Sequence, residues 1–232
     1  MKYLFASAIA STAAAVAPNS TPIYGTYPGW VEGKGQGQIQ VELFYDFMCS
    51  DCLAENPVVE EFMNTKFQDG VVSDYIYLAM SPFPLPYHVH AWQVGWLVPY
   101  FMDLCAADSS TCYMDQYKDF SFKMQPTVLS MTDTSQDDFI PWWSKQVADE
   151  LGLNEADIEA VYGPNDTHDT AWKIREIWKY ATGKGVNGTP FAFINGVKLD
   201  SVPTTVSDWV DLLNSIYSSQ WTQSSYLHVD QQ

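Results

Sequence analysis

The chain has 232 residues, of which 47% are hydrophobic and 15% aromatic, a composition that excludes a disordered chain and suits one domain with an insertion. Its 28 acidic and 11 basic residues give a formal net charge of −17, which argues against nucleic acid and anionic membranes as partners. The sequence contains neither G-x-G-x-x-G nor a P-loop, and we expect no cofactor and no bound metal.

The N-terminus has the pattern of a secretory signal. Lys2 precedes an apolar stretch over residues 3–10, and two A-x-A cleavage patterns follow, so we predict a signal peptide over residues 1–17. The alternative is a buried N-terminal helix. Asn19 and Asn165 each begin an N-x-[ST] sequon, which predicts glycosylation at both. We therefore expect a secreted glycoprotein or one that resides in the lumen of the secretory pathway.

The first part of the mature chain alternates extended and helical patterns. Residues 18–38 are rich in Pro, Gly, Ser and Thr and predict an extended leader. The β-branched and aromatic residues 39–45 predict a strand. Apolar residues then recur at helical spacing as far as Phe67, in a helix that contains Pro57, and residues 71–80 predict a second strand.

A long helical block separates these elements from a second strand region. Helical patterns fill residues 88–182, with Pro99 as an interruption. Asn195-Gly196 predicts a hairpin turn, and the last helix and a loose polar tail follow. The expected elements are strands at 191–194 and 197–199, a helix at 206–217 and a tail at 218–232. This order predicts an α/β domain over residues 39–217, with a mixed sheet and an all-helical insertion.

The chemistry centres on Cys49-Ser50-Asp51-Cys52, which directly follows the first strand and opens a helix. A thiol at a helix N-terminus faces unpaired N–H groups, which favour the thiolate that attacks disulfides. We expect Cys49 to be the exposed nucleophile and Cys52, one turn later, to be the buried resolving cysteine. One alternative is a structural zinc site, but the sequence has no second cysteine pair at the short spacing that such a site uses. The other alternative is an inert structural disulfide.

The other two cysteines are separated by six residues. Sequence proximity favours pairing Cys105 with Cys112 as a local structural disulfide, because an exported chain with four cysteines is compatible with two bridges. The alternative is a second redox pair that exchanges electrons with Cys49 and Cys52.

Three segments together resemble a known family. Residues 41–47, the C-x-x-C motif and residues 186–191, Val-Asn-Gly-Thr-Pro-Phe, are similar to the DsbA-like branch of thioredoxin-fold oxidoreductases, and the resemblance spans roughly residues 38–217. It implies a thioredoxin fold and an exchange of disulfides with protein or peptide thiols. It also implies a cis bond between Thr189 and Pro190, which would lie against the active cysteines and offer backbone to a substrate strand.

The chain departs from that family at two places. Several relatives carry Pro-His between the cysteines, whereas this chain has Ser50-Asp51; a carboxylate there should raise the pKa of Cys49 and make the disulfide a weaker oxidant. The family's buried proton-relay carboxylate would fall on Leu43. Glu42 and Asp46 are the neighbouring candidates, and the register of the strand decides which of them faces Cys52.

Two rival functions remain open at the level of sequence. One is a redox-silent module that binds peptides or a partner protein and keeps Cys49–Cys52 as a staple. The other is a glutathione-dependent transferase or isomerase of the related kappa type, although those relatives usually have Ser at the first cysteine. Glutathione therefore stays a candidate partner, and the oligomeric state is left open.

Overall fold

The computed structural model describes residues 28–32, 37 and 39–227, with side chains as far as residue 218. The predicted signal peptide at 1–17, the sequon at Asn19 and most of the predicted leader lie outside the described residues. Within the described part of the chain, no helix is long and apolar enough to cross a membrane.

Five strands form a mixed central sheet, and two short strands, β3 and β4, form a separate hairpin. The central order is β1-β5-β2-β6-β7, with β2 and β5 parallel and the other neighbours antiparallel. The strands are β1 Trp30–Glu32, β2 Ile39–Tyr45, β3 Lys66–Phe67, β4 Gly70–Val71, β5 Ile76–Pro82, β6 Phe191–Ile194 and β7 Val197–Lys198.

Eight helices are present in the described residues, and five of them, α2 to α6, follow one another between β5 and α7. The helices are α1 Ser50–Asn64, α2 Ala91–Trp96, α3 Val98–Ala107, α4 Met114–Leu129, α5 Gln136–Leu151, α6 Glu155–Ala160, α7 Thr170–Gly183 and α8 Val206–Leu227. The block from α2 to α7 matches the predicted all-helical insertion between the second long strand and the hairpin.

Strand β1 was not predicted, because it lies inside the segment expected to be an extended leader. Trp30 pairs with Met80 of β5 and is only 6% exposed, and its ring approaches that of Phe47 with centroids 6.1 Å apart. A lone tryptophan in a Gly-rich segment has no alternation to reveal it. Trp30 is therefore buried only because β1 pairs with β5 at the edge of the central sheet.

Several element boundaries differ from the sequence prediction. Helix α1 ends at Asn64, and Phe67, the predicted end of the helix, lies in β3. The predicted strand at 71–80 breaks at a 3-10 turn over Val72–Asp74, where the Asp74 carboxylate accepts from the Val71 N–H, and β5 begins only at Ile76. Pro99 does not interrupt one helix but lies in the first turn of α3, where its missing N–H costs nothing. Helix α8 continues to Leu227, so the tail predicted from residue 218 is wrong over most of its length.

The sheet separates two apolar layers, and the alternation along β2 assigns side chains to them. Val41, Leu43 and Tyr45 join the large core that also contains Cys49 and Cys52. Phe44 points to the opposite face and joins a smaller cluster beneath α7. Because successive side chains of a strand alternate between faces, Glu42 shares the face of Phe44.

Cys105 and Cys112 form a disulfide with an S–S distance of 2.06 Å. It joins the end of α3 to the residues before α4, on the helical insertion. Cys49 and Cys52 are free thiols in this structure.

Candidate active site

The cysteine motif follows a tight turn at the end of β2. The Asp46 carbonyl accepts from the Cys49 N–H at 3.0 Å, and Asp46 Oδ1 accepts from the Met48 N–H at 2.8 Å. Asp is well suited to this position because its side chain can bond to a backbone N–H two residues later. The turn places Cys49 in extended backbone at the N-cap of α1, so its side chain faces the first-turn N–H groups.

Cys49 lies against the loop that ends at Pro190. The Thr189–Pro190 peptide bond is cis, as the resemblance implies, and Cys49 Sγ donates to the Thr189 carbonyl oxygen at 3.3 Å. The structure thus brings together residues that are 140 positions apart in sequence. Thr189 and Pro190 are both half-buried, so part of this loop remains open beside the sulfur.

The two thiols differ in exposure, but less than predicted. Cys52 is completely buried, whereas Cys49 is 6% exposed. The expectation of an exposed Cys49 is therefore wrong: the residue joins the large apolar core and its sulfur contacts the Thr189 carbonyl. A disulfide that reacts with Cys49 must approach closely along the small accessible part of the sulfur.

The structure lowers the pKa of Cys49 to about 5. The largest cause is a hydrogen bond from the Cys52 thiol to the Cys49 thiolate. Burial has the opposite effect and raises the pKa. Hydrogen bonds from Thr189 and from the N–H groups of Cys52 and Asp51 lower it further. The same arrangement raises the pKa of Cys52 well above its ordinary value, through burial and then through its bond and charge repulsion with Cys49. One thiolate beside one protonated thiol is therefore the stable reduced form.

Ser50 and Asp51 are both exposed in the first turn of α1. The Asp51 backbone N–H helps to lower the pKa of Cys49, as expected for a thiol at a helix N-terminus. The opposing rise that the sequence suggested for the Asp51 carboxylate does not prevent this net fall. The effect of the Asp51 carboxylate on the reduction potential stays a prediction.

Glu42, one of the two relay candidates, faces away from the cysteines. Its buried carboxylate accepts a hydrogen bond from the Tyr180 hydroxyl at 2.7 Å and pairs with Lys184, both on the α7 side of the sheet. The relay hypothesis for Glu42 is therefore wrong, since the register of β2 places it on the opposite face from Cys52.

Asp46, the second candidate, holds loops together. Besides Met48, its carboxylate binds the Leu85 N–H at 3.0 Å and His88 Nδ1 at 2.6 Å. Burial raises the pKa of Asp46, while hydrogen bonds from Leu85 and Met48 oppose the rise. What Asp46 directs toward Cys52 is its backbone N–H, which lowers the pKa of that thiol. His88, which sequence reasoning left without a role, thus lies at the border of the site.

Glu55 is the buried carboxyl that sequence reasoning missed. It lies one turn after Cys52 on α1, is 4% exposed, and accepts from Trp209 Nε1 of α8 at 3.0 Å. Burial raises its pKa to about 7, against the lowering effect of the Trp209 bond. The buried Tyr45 is close to both groups, because Glu55 and Cys52 add to the effect of burial in raising its pKa. The i, i+3 spacing from Cys52 was the available signal.

Gln125 of α4 fastens the helical insertion to the site. Its buried Nε2 donates to the carbonyl oxygens of both Phe47 and Cys49 at 2.9 Å. These bonds satisfy the backbone of the active-site turn where no strand neighbour can. Gln125 lies at helical spacing from the buried Ser121, Phe122 and Val128, and this spacing was the available sequence signal.

Comparisons with known proteins agree with this geometry at the level of the fold. No protein-family model matches the chain, and no curated protein matches its sequence. Among solved structures, a Pseudomonas syringae protein assigned as a protein-disulfide isomerase aligns with a TM-score of 0.56 and 17% identity, covering 76% of this chain and 94% of that one.

Two further structures align in the same way. The thiol-disulfide exchange protein alpha-DsbA2 from Wolbachia pipientis gives a TM-score of 0.53 and 18% identity over 82% of this chain and 87% of its own. The oxidoreductase NmDsbA1 from N. meningitidis gives a TM-score of 0.52 and 17% identity, covering 82% of this chain and 89% of its own. The predicted DsbA-type thioredoxin fold, with its helical insertion, is confirmed.

The first prediction concerns the ionisation of Cys49. Ultraviolet absorbance of the thiolate in the reduced protein should show half-deprotonation near pH 5, about four units below the ordinary thiol value of 9.0. Cys52→Ala should move this transition upward, because it removes the strongest hydrogen bond to the thiolate. Cys49→Ala should abolish it. A single transition near pH 9 in the wild-type protein would contradict the geometry described here.

The second prediction concerns Glu55. Since its folded pKa of about 7 exceeds the ordinary 4.5, the folded protein binds the proton more tightly, and this contribution to stability is lost as pH rises from about 5 to 8. Glu55→Gln keeps an acceptor for Trp209 and should be more stable than wild type by about 1–2 kcal/mol at pH 8, after discounting for solvent screening, and nearly equal at pH 5.

Denaturant unfolding of the two proteins at both pH values measures this difference. Glu61 is an exposed residue on the same helix, and Glu61→Gln is the matched control. Its free energy of unfolding should differ from that of wild type by the same small amount at pH 5 and at pH 8. An equal pH dependence for wild type and Glu55→Gln would show that Glu55 ionises as freely as an exposed carboxyl.

Proposed function

We propose that this protein is an extracytoplasmic thiol–disulfide oxidoreductase that exchanges disulfides with protein clients through Cys49 as nucleophile and Cys52 as resolving cysteine. The observation that carries the proposal is the position of Cys49 Sγ, at the N-terminus of α1 and 3.3 Å from the Thr189 carbonyl beside the cis proline. Solved proteins of the same fold bear names that describe this chemistry, which adds support.

The chemistry in the oxidising direction needs two exchanges. A client thiolate attacks Cys49 Sγ in the Cys49–Cys52 disulfide; the S–S bond breaks, and Cys52 leaves with the electron pair and takes a proton. A second client thiolate then attacks the client sulfur of the mixed disulfide and releases Cys49 as a thiolate. The client loses two electrons and the protein gains them, so a separate disulfide acceptor must reoxidise the pair.

The unequal pKa values of the two thiols suit these steps. Cys49 leaves easily from the mixed disulfide because its thiolate is stable, with a pKa of about 5. Cys52 keeps its proton in the reduced form because burial raises its pKa. In the reducing direction Cys52 must lose that proton to attack Cys49, and Glu55 is the buried carboxyl in the same core that suits the role of acceptor.

The stability of the Cys49 thiolate favours the reduced protein and hence an oxidising disulfide. Its pKa, lowered to about 5, shifts the thiol–disulfide equilibrium toward oxidation of client thiols. An oxidising activity fits an exported protein, since disulfides form and persist outside the cytosol.

Thr189 and Pro190 are proposed to bind the client backbone. Their half-buried segment borders Cys49, and the Thr189 carbonyl is close enough to the sulfur to align an extended strand beside it. The export proposal rests on the N-terminal signal pattern and on Asn165, which is exposed in the loop before α7 and accessible to glycosylation.

The third prediction separates catalysis from the redox-silent and glutathione-dependent alternatives. Cys49→Ser should reduce insulin-disulfide reduction by at least 100-fold, because Ser cannot supply the thiolate. Cys52→Ser should accumulate a mixed disulfide between Cys49 and the client, visible on non-reducing gels and lost with dithiothreitol. Cys105→Ser/Cys112→Ser is the control and should keep most of the activity.

Unchanged insulin reduction in Cys49→Ser would refute the proposal. Glutathione conjugation that survives this substitution would favour the kappa-type alternative.

The fourth prediction concerns the dipeptide between the cysteines. Asp51→His should raise the reduction potential by roughly 30 mV or more, equivalent to ~1.4 kcal/mol for a two-electron couple, because a cation replaces an anion near the Cys49 thiolate. Equilibrium titration against glutathione measures the change. Asp51→Asn should give a smaller rise. A fall in potential, or no change in either variant, would show that the Asp51 charge does not act on Cys49.

A further inference from the structure

A groove of about 450 Å³ lies between the loop after β5 and helix α7. Its floor is made by Pro84 and Leu85, which are buried, and its sides by the half-buried rings of Trp92 and Trp178. The outer edge carries Pro86 on the loop side and two cations, Arg175 and Lys179, on the helix side; all three are exposed.

The groove and the cysteine site share their supporting residues. Leu85, on the groove floor, donates its N–H to Asp46, the residue that shapes the turn before Cys49. Trp178 stacks on Phe83 with ring centroids 5.6 Å apart and planes inclined by 7°. Both belong to one apolar cluster that also holds Val186 and Phe191, which flank the Thr189–Pro190 loop. The groove is thus linked to the cysteine site through Asp46 and to the Thr189–Pro190 loop through this cluster.

The charge at the groove is opposite to that of the rest of the molecule. Residues 173–184 contain four of the eleven basic residues and one acidic residue, a local net charge of +3 in a chain of net charge −17. Two of the four cations are occupied elsewhere, because Lys173 pairs with Asp103 and Lys184 with Glu42. The other two, Arg175 and Lys179, are those at the groove.

These two cations are held differently. Arg175 Nε donates to the Ala171 carbonyl at 2.9 Å, a neutral partner, and the guanidinium forms no ion pair with any carboxylate in the described part of the chain. Lys179 is partly compensated, since it contacts Glu176 at 2.8 Å and lies 5.2 Å from the centre of the Trp172 ring. Arg175 is thus the stronger determinant for a carboxylate, and its planar guanidinium suits bidentate binding.

We propose that this groove is a client-binding site that selects an acidic segment bearing an aromatic side chain. The aromatic ring packs against the two tryptophans and the prolines, and a flanking carboxylate binds Arg175. The identification of the occupant as a client rests on the proposed thiol–disulfide function. Electrostatic complementarity carries the choice, because residues 173–184 have a net charge of +3 in a chain whose net charge of −17 disfavours acidic partners in general.

The fifth prediction tests this site by calorimetry with the full-length protein. The probes are two ten-residue peptides without cysteine, one with Phe between two Glu residues and one with Gln in place of both Glu. The acidic peptide should bind at least fivefold more tightly than the amide peptide, and this preference should shrink at high salt. Arg175→Glu should weaken the acidic peptide at least tenfold and reverse the preference.

Matched variants separate the groove from general charge effects. Lys145→Glu makes the same kind of charge change at an exposed lysine of α5 and should leave both affinities within twofold. Trp92→Ala should weaken both peptides alike, because it removes apolar contact and no charge. Equal binding of the two peptides, or an Arg175→Glu effect no larger than that of Lys145→Glu, would overturn the proposal. Self-association of the protein that Arg175→Glu abolishes would also overturn it, since the occupant would then be a second copy.

The test is independent of the thiol chemistry. Cys49→Ser should bind the acidic peptide as wild type does, whatever its activity in the insulin assay. If the peptides do not bind but the activity that depends on Cys49 is present, the groove proposal is refuted and the proposed function stands. If the peptides bind as expected but the protein has no thiol–disulfide activity, the proposed function is refuted and the measured binding stands.

Discussion

The contact between Cys49 Sγ and the Thr189 carbonyl is the interaction on which the rest of the site depends. It joins the N-terminus of α1 to a loop 140 residues later, after the whole helical insertion has been traversed. Two structural features make the contact possible. Strand β6 pairs antiparallel with β2, which fixes the position of the loop before β6, and Gln125 ties the insertion to the active-site turn. Ionisation of Cys49 has a different origin: the Cys52 thiol and the N–H groups of the first turn of α1 donate to the thiolate.

Three buried carboxyls near the motif show how position decides chemistry. Glu42 pairs with Lys184 on the far face of the sheet, Asp46 binds loop groups, and Glu55, one helical turn after Cys52, accepts a hydrogen bond from Trp209. Burial raises the pKa of both Asp46 and Glu55; hydrogen bonds from several groups oppose the rise at Asp46, whereas at Glu55 the pKa reaches about 7. A buried carboxyl with a pKa near neutrality is suited to accept a proton, which is why Glu55 is the relay candidate.

The same supporting residues connect thiol chemistry to client selection. Asp46 anchors the loop that forms one side of the groove, and the apolar cluster around Phe44 supports both Trp178 and the strand that begins at Phe191. A client held in the groove would gain binding energy in addition to its contacts with Cys49, a residue that is only 6% exposed. Because Cys49 has little accessible surface, only a well-positioned disulfide can reach it, and additional contacts with the client would help to position that disulfide.

The sequence by itself determined the strand–cysteine–helix unit, the helical insertion and the Asn195-Gly196 turn, because local periodicity and turn chemistry specify these directly. Sequence proximity alone favoured the pairing of Cys105 with Cys112. The sequence also pointed to Thr189-Pro190 through a family resemblance. Only the tertiary structure decided that Trp30 lies in a strand, that Glu42 faces away from Cys52, that Glu55 is buried, and that Arg175 borders an apolar groove. Burial, desolvation and charge compensation arise between segments far apart in the chain, so no local pattern encodes them.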